Sequence, residues 1–192
     1  MPRVTSCDGT SIAYRREGTG PAVVLAGFPD REAALLAERF TVYGYDRRGT
    51  GDSGQTAPYA VAREVEDLLA VLTTVAGSGM VALAGWGPGA VLALEAARLV
   101  PSLPGLTVTG LGPLVPDPHA PEDARASVGR VGTRGTRTEA ALRRLVTEAG
   151  APIPMELAAA RWSWLAAPVL VLGNPELAAI VGGGIRQAGF AT

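Results

Sequence analysis

The stretch from Met80 to Glu95, Met-Val-Ala-Leu-Ala-Gly-Trp-Gly-Pro-Gly-Ala-Val-Leu-Ala-Leu-Glu, constrains the fold of this chain more than any other. An unbroken apolar run reads as a strand buried on both faces. A knot of three glycines, Gly85, Gly87 and Gly89, permits a turn that other residues would strain, and a helical apolar pattern follows. The stretch therefore predicts a buried strand that turns sharply into a helix, the local unit of an α/β protein.

The rest of the chain alternates in the same way. Arg3 to Ser6 and Ser11 to Arg15 read as two strands joined at Asp8-Gly9, a strong hairpin signal. Pro21 to Gly27 reads as a buried strand, Arg31 to Arg39 as a short helix with Leu35 and Leu36 inward, and Phe40 to Tyr45 as the next strand. The loop Asp46 to Gly54 is rich in residues that tolerate a left-handed backbone and reads as a tight, internally bonded turn with Asp46 pinning it. Its glycines imitate a dinucleotide-binding fingerprint but open no helix, so nucleotide binding is set aside. Tyr59 to Thr74 carries Val61, Val65, Leu68, Leu69 and Leu72 on one helical face, which leaves Glu64, Glu66 and Asp67 to its solvated side. Leu106 to Gly110 and Ala167 to Gly173 are further strands. Between them, from Val115 to Leu165, prolines and arginines accumulate around expected helices at Thr138–Ala149 and Pro154–Leu165, and a last weak helix starts at Pro175. Strands alternating with helices predict a mostly parallel, doubly wound sheet, in one domain over residues 1–192 with residues 115–165 inserted.

Composition narrows the function. With 47% hydrophobic and 18% charged residues the chain suits a well-buried domain. A net charge of -1 offers no field for nucleic acid or an anionic membrane surface. All the basic residues are arginine, which excludes a Schiff-base lysine. One histidine and one cysteine, His119 and Cys7, are too few for a zinc or iron centre, and no cofactor is expected. No apolar run reaches the roughly 20 residues of a membrane span, and the start of the chain lacks the pattern of a signal peptide. The expected location is the cytoplasm.

In order and spacing, five segments together resemble the α/β-hydrolase superfamily: Asp8 to Tyr14, the strand ending at Gly27, the loop Tyr45 to Gly54, the turn Gly85-Trp86-Gly87-Pro88-Gly89, and the strand Pro168 to Leu172. The resemblance implies that the turn is a nucleophile elbow, Gly-X-Ser-X-Gly, and that residues 115–165 form a small helical cap over the pocket. The departures are as informative. Gly87 stands where the nucleophilic serine belongs. Pro88 stands where a backbone N–H would hold the oxyanion. The strand and histidine segment expected beyond Leu172 do not follow, and Asn174-Pro175-Glu176 occupies the place of the acid. His119 reads as a loop residue.

The expectation is therefore a non-hydrolytic protein of this fold that binds a hydrophobic small molecule. Its pocket would be built from Phe28, Trp86, Gly87, Pro88, Pro113, Leu114 and Asn174, with Trp162 or Trp164 in the roof. The Trp86 indole would either wall the ligand or fill the space beside Gly87. An isomerisation or intramolecular cyclisation driven by orientation needs no nucleophile, and Asp30 and Glu176 are the candidate acid–base groups. The alternative is an inactive pseudo-hydrolase that binds or scaffolds. The strand Val169 to Leu172 is expected at an open sheet edge, which predicts a homodimer, with C-terminal segments exchanged in one version of it.

Overall fold

The computed structural model describes residues 1–77, 79–111, 142–144, 146–147 and 155–181. The hairpin comes first: β1 (Arg3–Thr5) and β2 (Ser11–Glu17) pair antiparallel, with Arg3 opposite Ala13. The Asp8 carboxylate accepts from the Thr10 N–H at 3.0 Å and Gly9 takes φ +84°, so the turn closes as its sequence dictates. Then β3 (Ala22–Ala26), α1 (Asp30–Ala37), β4 (Thr41–Tyr45), α2 (Val61–Ala76), β5 (Val81–Trp86), α3 (Pro88–Leu99) and β6 (Leu106–Thr109) alternate. The described chain ends with α4 (Met155–Trp162), β7 (Val169–Val171) and α5 (Pro175–Ile180).

The strands form one sheet in the order β1-β2-β4-β3-β5-β6-β7. From β4 onward the pairings are parallel, while β2 joins β4 antiparallel, so the expected mostly parallel sheet is present. Alternation along the strands sorts side chains to two faces. Val81, Leu83, Leu106, Val108, Val169 and Val171 enter the larger core with α2 and α3. Val23, Leu25, Val42 and Ala84 enter a smaller one beside α1. Helix α3 is buried at every residue from Gly89 to Ala97, which fits its apolar circumference. No helix among the described residues is long and apolar enough to cross a membrane.

Two expectations need correction. Leu35 is 58% exposed, and α1 buries none of its residues fully, because no other described helix stands beside it on that face. Glu64 and Asp67 are not solvated. Arg47 and Arg48 reach them from the loop after β4, each guanidinium gripping one carboxylate with two hydrogen bonds of 2.5–2.7 Å. Most of the expected cap, residues 115–165, lies outside the described residues, and α4 is part of its described end. Its Leu157, Ala158 and Trp162 belong to the main core, where the Trp162 indole donates to Glu95 at 2.9 Å. Leu142 and Val146, in helical backbone, join the same core. Residues 112–141, with His119, lie outside the described residues, as do the residues after 181.

Candidate functional site

Parallel pairing of β3 with β5, Ala26 opposite Gly85, brings their carboxyl ends side by side. The chain leaves β5 through Trp86 and Gly87 and enters α3 at Pro88. Gly85 and Gly89 are demanded by backbone proximity: a Cβ on Gly89 would collide with the Ala26 carbonyl, and one on Gly85 with Ala90. Gly87 is different. It is held at φ 53°, ψ −122° by its N–H, which donates to the Thr109 carbonyl at 3.0 Å, and by its carbonyl, which accepts from Ala90. Among the described residues, a Cβ there would find only the Gly110 carbonyl oxygen, at 3.9 Å. The elbow thus keeps a strained backbone and room for a side chain without having one, and Pro88 brings no N–H to the first turn of α3.

Trp86 shares its sheet face with Ala82 and Ala84, on the α1 side. Its ring meets Phe28 edge-on, centroids 5.6 Å apart at 73°, an arrangement that suits the two ring quadrupoles. Both rings border a cavity of about 820 Å³ that runs along the sheet from Pro21, Gly105 and Pro168 at the strand starts to Thr109 and Leu172 at their ends. Its floor is Ala82, Ala84, Thr107, Leu170 and their neighbours, and its wall is α1 with Glu32, Leu35 and Leu36.

Of the residues expected at the site, Phe28 and Trp86 border this groove. Gly87 and Pro88 form the elbow but border no described cavity. Asp30 opens α1 with its side chain 85% exposed and receives Arg15 at 2.9 Å. It borders a separate cavity of about 520 Å³ with Arg15, Gly27, Asp46 and Arg47, and Phe28 borders both spaces. Asn174 is buried, its side-chain oxygen accepting from Leu177 N–H at 2.9 Å as the cap of α5. Trp162 is fully buried and Trp164 is 86% exposed, and neither borders a described cavity. Pro113 and Leu114 lie outside the described residues, as does the Glu176 side chain.

Sequence reasoning missed the groove's own lining. Strand parity could have found part of it, since Ala82 and Ala84 share the parity of Trp86 and are too small to cover the sheet. Glu32 gave no such signal. The electrostatic cluster at α2 was missed as well. Tyr59 donates to Glu64 at 2.7 Å, and burial with this bond pushes its phenol up to about 12. Arg48 also reaches Asp8 at 2.8 Å and holds that carboxyl well below the usual range. Asp46, as expected, secures its own loop by accepting from Asp52 N–H at 2.9 Å.

Comparison with known proteins extends this geometry. A scan against protein-family models finds no match. The chain aligns at 43% identity over 81 residues with a protein of Mycobacterium tuberculosis described as probable oxidoreductase EphD, but this spans 36% of the chain and only 14% of that relative. Among solved structures, an α/β hydrolase from Sphaerobacter thermophilus superposes with a TM-score of 0.67 and 30% identity, covering 100% of this chain and 95% of its own. A thermophilic esterase from Thermogutta terrifontis superposes with a TM-score of 0.61 at 19% identity over 96% of this chain and 88% of its own, a likeness of fold alone. With the strand order, the elbow and a full-length match in hand, the chain belongs to the α/β-hydrolase family.

Proposed function

We propose that this protein uses the α/β-hydrolase architecture to hold an apolar small molecule without covalent catalysis. The observation that carries the reading is the elbow, where Gly87 keeps φ 53°, ψ −122° and open space for a side chain but offers no nucleophile. Pro88 removes a further donor, and loss of one oxyanion-hole donor costs roughly 10²–10³ in rate. The groove beside it, at about 820 Å³, falls in the size range of ligand pockets and is lined mainly by aliphatic and aromatic residues.

A finer version of this reading has the groove promote an isomerisation or intramolecular cyclisation by orientation, which can lower a barrier by about 7–11 kcal/mol in favourable cases. It draws no support from Asp30, an exposed carboxylate paired with Arg15. Binding, without a chemical step, is therefore the version that the geometry supports best. The relatives named as hydrolases and an esterase supply the competing reading, and one assay separates the two. Incubation with 4-nitrophenyl acetate is expected to release nitrophenol no faster than buffer does. Saturable turnover proportional to protein would return the chain to hydrolysis and sink the proposal.

A further inference from the structure

The groove along the sheet holds an unusual carboxylate. Among the described residues that border it, Glu32 is the sole ionisable side chain; the other polar groups are the Thr107 and Thr109 hydroxyls and the Trp86 indole. Glu32 is half-buried in the first turn of α1. Leu35 and Leu36, three and four residues on, flank it on the groove side and set the charge against an apolar wall. Among the described residues no hydrogen bond or ion pair engages it, whereas Asp30, two residues earlier, receives Arg15. No arginine among the described residues borders the groove.

We propose that the groove selects an apolar molecule bearing one cationic head, of the class of protonated aliphatic amines, with the ammonium on Glu32 and the hydrocarbon on Ala82, Ala84, Trp86, Leu170 and Leu172. The proposal rests on the reading of this groove as a ligand site and adds the charge of the ligand. A carboxylate-headed chain of the same length finds no cation among the described residues there and meets a like charge at Glu32. A neutral alcohol keeps the apolar contacts and gains a hydrogen bond but no ion pair from the carboxylate, and the amide oxygen of a glutamine can accept the same bond. Charge complementarity thus orders three otherwise equal ligands.

Octylamine, octanol and octanoate are matched probes, and titration calorimetry on the full chain at pH 7 and low salt reads them directly. Octylamine is expected to bind about fivefold tighter than octanol, the upper end of what a partly exposed ion pair supplies, and octanoate weakest of the three. Glu32→Gln should bring octylamine to the affinity of octanol and leave octanol unchanged, which also certifies the variant as folded. Added salt should weaken octylamine alone. Equal binding of octylamine and octanoate, or a preference for amine that survives Glu32→Gln, overturns the assignment of the charge while the groove remains a ligand site. If none of the three binds, because a second copy or another part of the chain fills the groove, both readings fall.

Discussion

Trp86 and Gly87 are neighbours with opposite roles. The indole spends its surface on Phe28 and on the rim of the groove, while the glycine spends its freedom on a backbone angle. Trp86→Ala is expected to weaken octanol binding by about 1–2 kcal/mol, the cost of losing one aromatic anchor, with an unchanged far-ultraviolet spectrum. Unaltered binding would make the ring a space-filler. Gly87→Ser tests the glycine. Its Cβ has room but its φ is one that L residues adopt only under strain, so the variant should fold and lose about 1–3 kcal/mol in denaturant unfolding. It should still release no nitrophenol, because Pro88 donates no N–H. The elbow was legible in the sequence because close backbone approach at Gly85 and Gly89 leaves glycine as the permitted residue. The face taken by Trp86 was not, since it depends on how far β5 runs before the turn.

Between elements, buried charge does what the apolar pattern cannot. Glu95 on α3 accepts from Arg161 at 2.5 and 2.9 Å, from Trp162 at 2.9 Å and from Arg98 at 2.6 Å, tying α4 to the elbow helix. Burial alone would raise its carboxyl, but the bonds from Arg161 and the nearby cations outweigh that and leave it below the ordinary value of 4.5. A carboxyl depressed in the folded state stabilises above its unfolded value and loses that contribution as the pH falls through its folded value. Thermal stability should therefore decline with acid below about pH 4.5, and Glu95→Gln should blunt that decline. At pH 7 the same variant should cost about 2–3 kcal/mol, less than a fully buried pair because Arg161 keeps 21% of its side chain exposed. The corresponding fall in Tm is about 5–10 °C. An unchanged Tm and acid profile would strip the cluster of its structural role. Helix α2 makes a similar point about legibility. Its apolar stripe was readable from spacing alone, yet Glu64 and Asp67 read as solvated because Arg47 and Arg48 are 17 and 19 residues away. Periodicity carries no information about such partners.

At the scale of the molecule, the described residues close one face of the sheet and leave the other partly open. Helices α2 and α3 cover the first, whereas α1 alone flanks the second among the described residues, and the groove follows from that imbalance. Among the described residues the sheet's far edge is β7, paired with β6. An edge of unpaired backbone groups is a template for another strand. A second copy related by a two-fold axis normal to the sheet would pair β7 with β7 antiparallel, an isologous contact that closes on itself. Such a pairing leaves both grooves free, so dimerisation and amine binding are compatible outcomes. Light scattering at micromolar concentration is expected to return the dimer mass. Leu170 is half-buried at the middle of β7, between the buried Val169 and Val171. Leu170→Lys sets a charge on that edge, a common guard against edge pairing, and should return the monomer mass with the fold intact. A wild-type chain that is monomeric throughout this range would discard the two-fold contact.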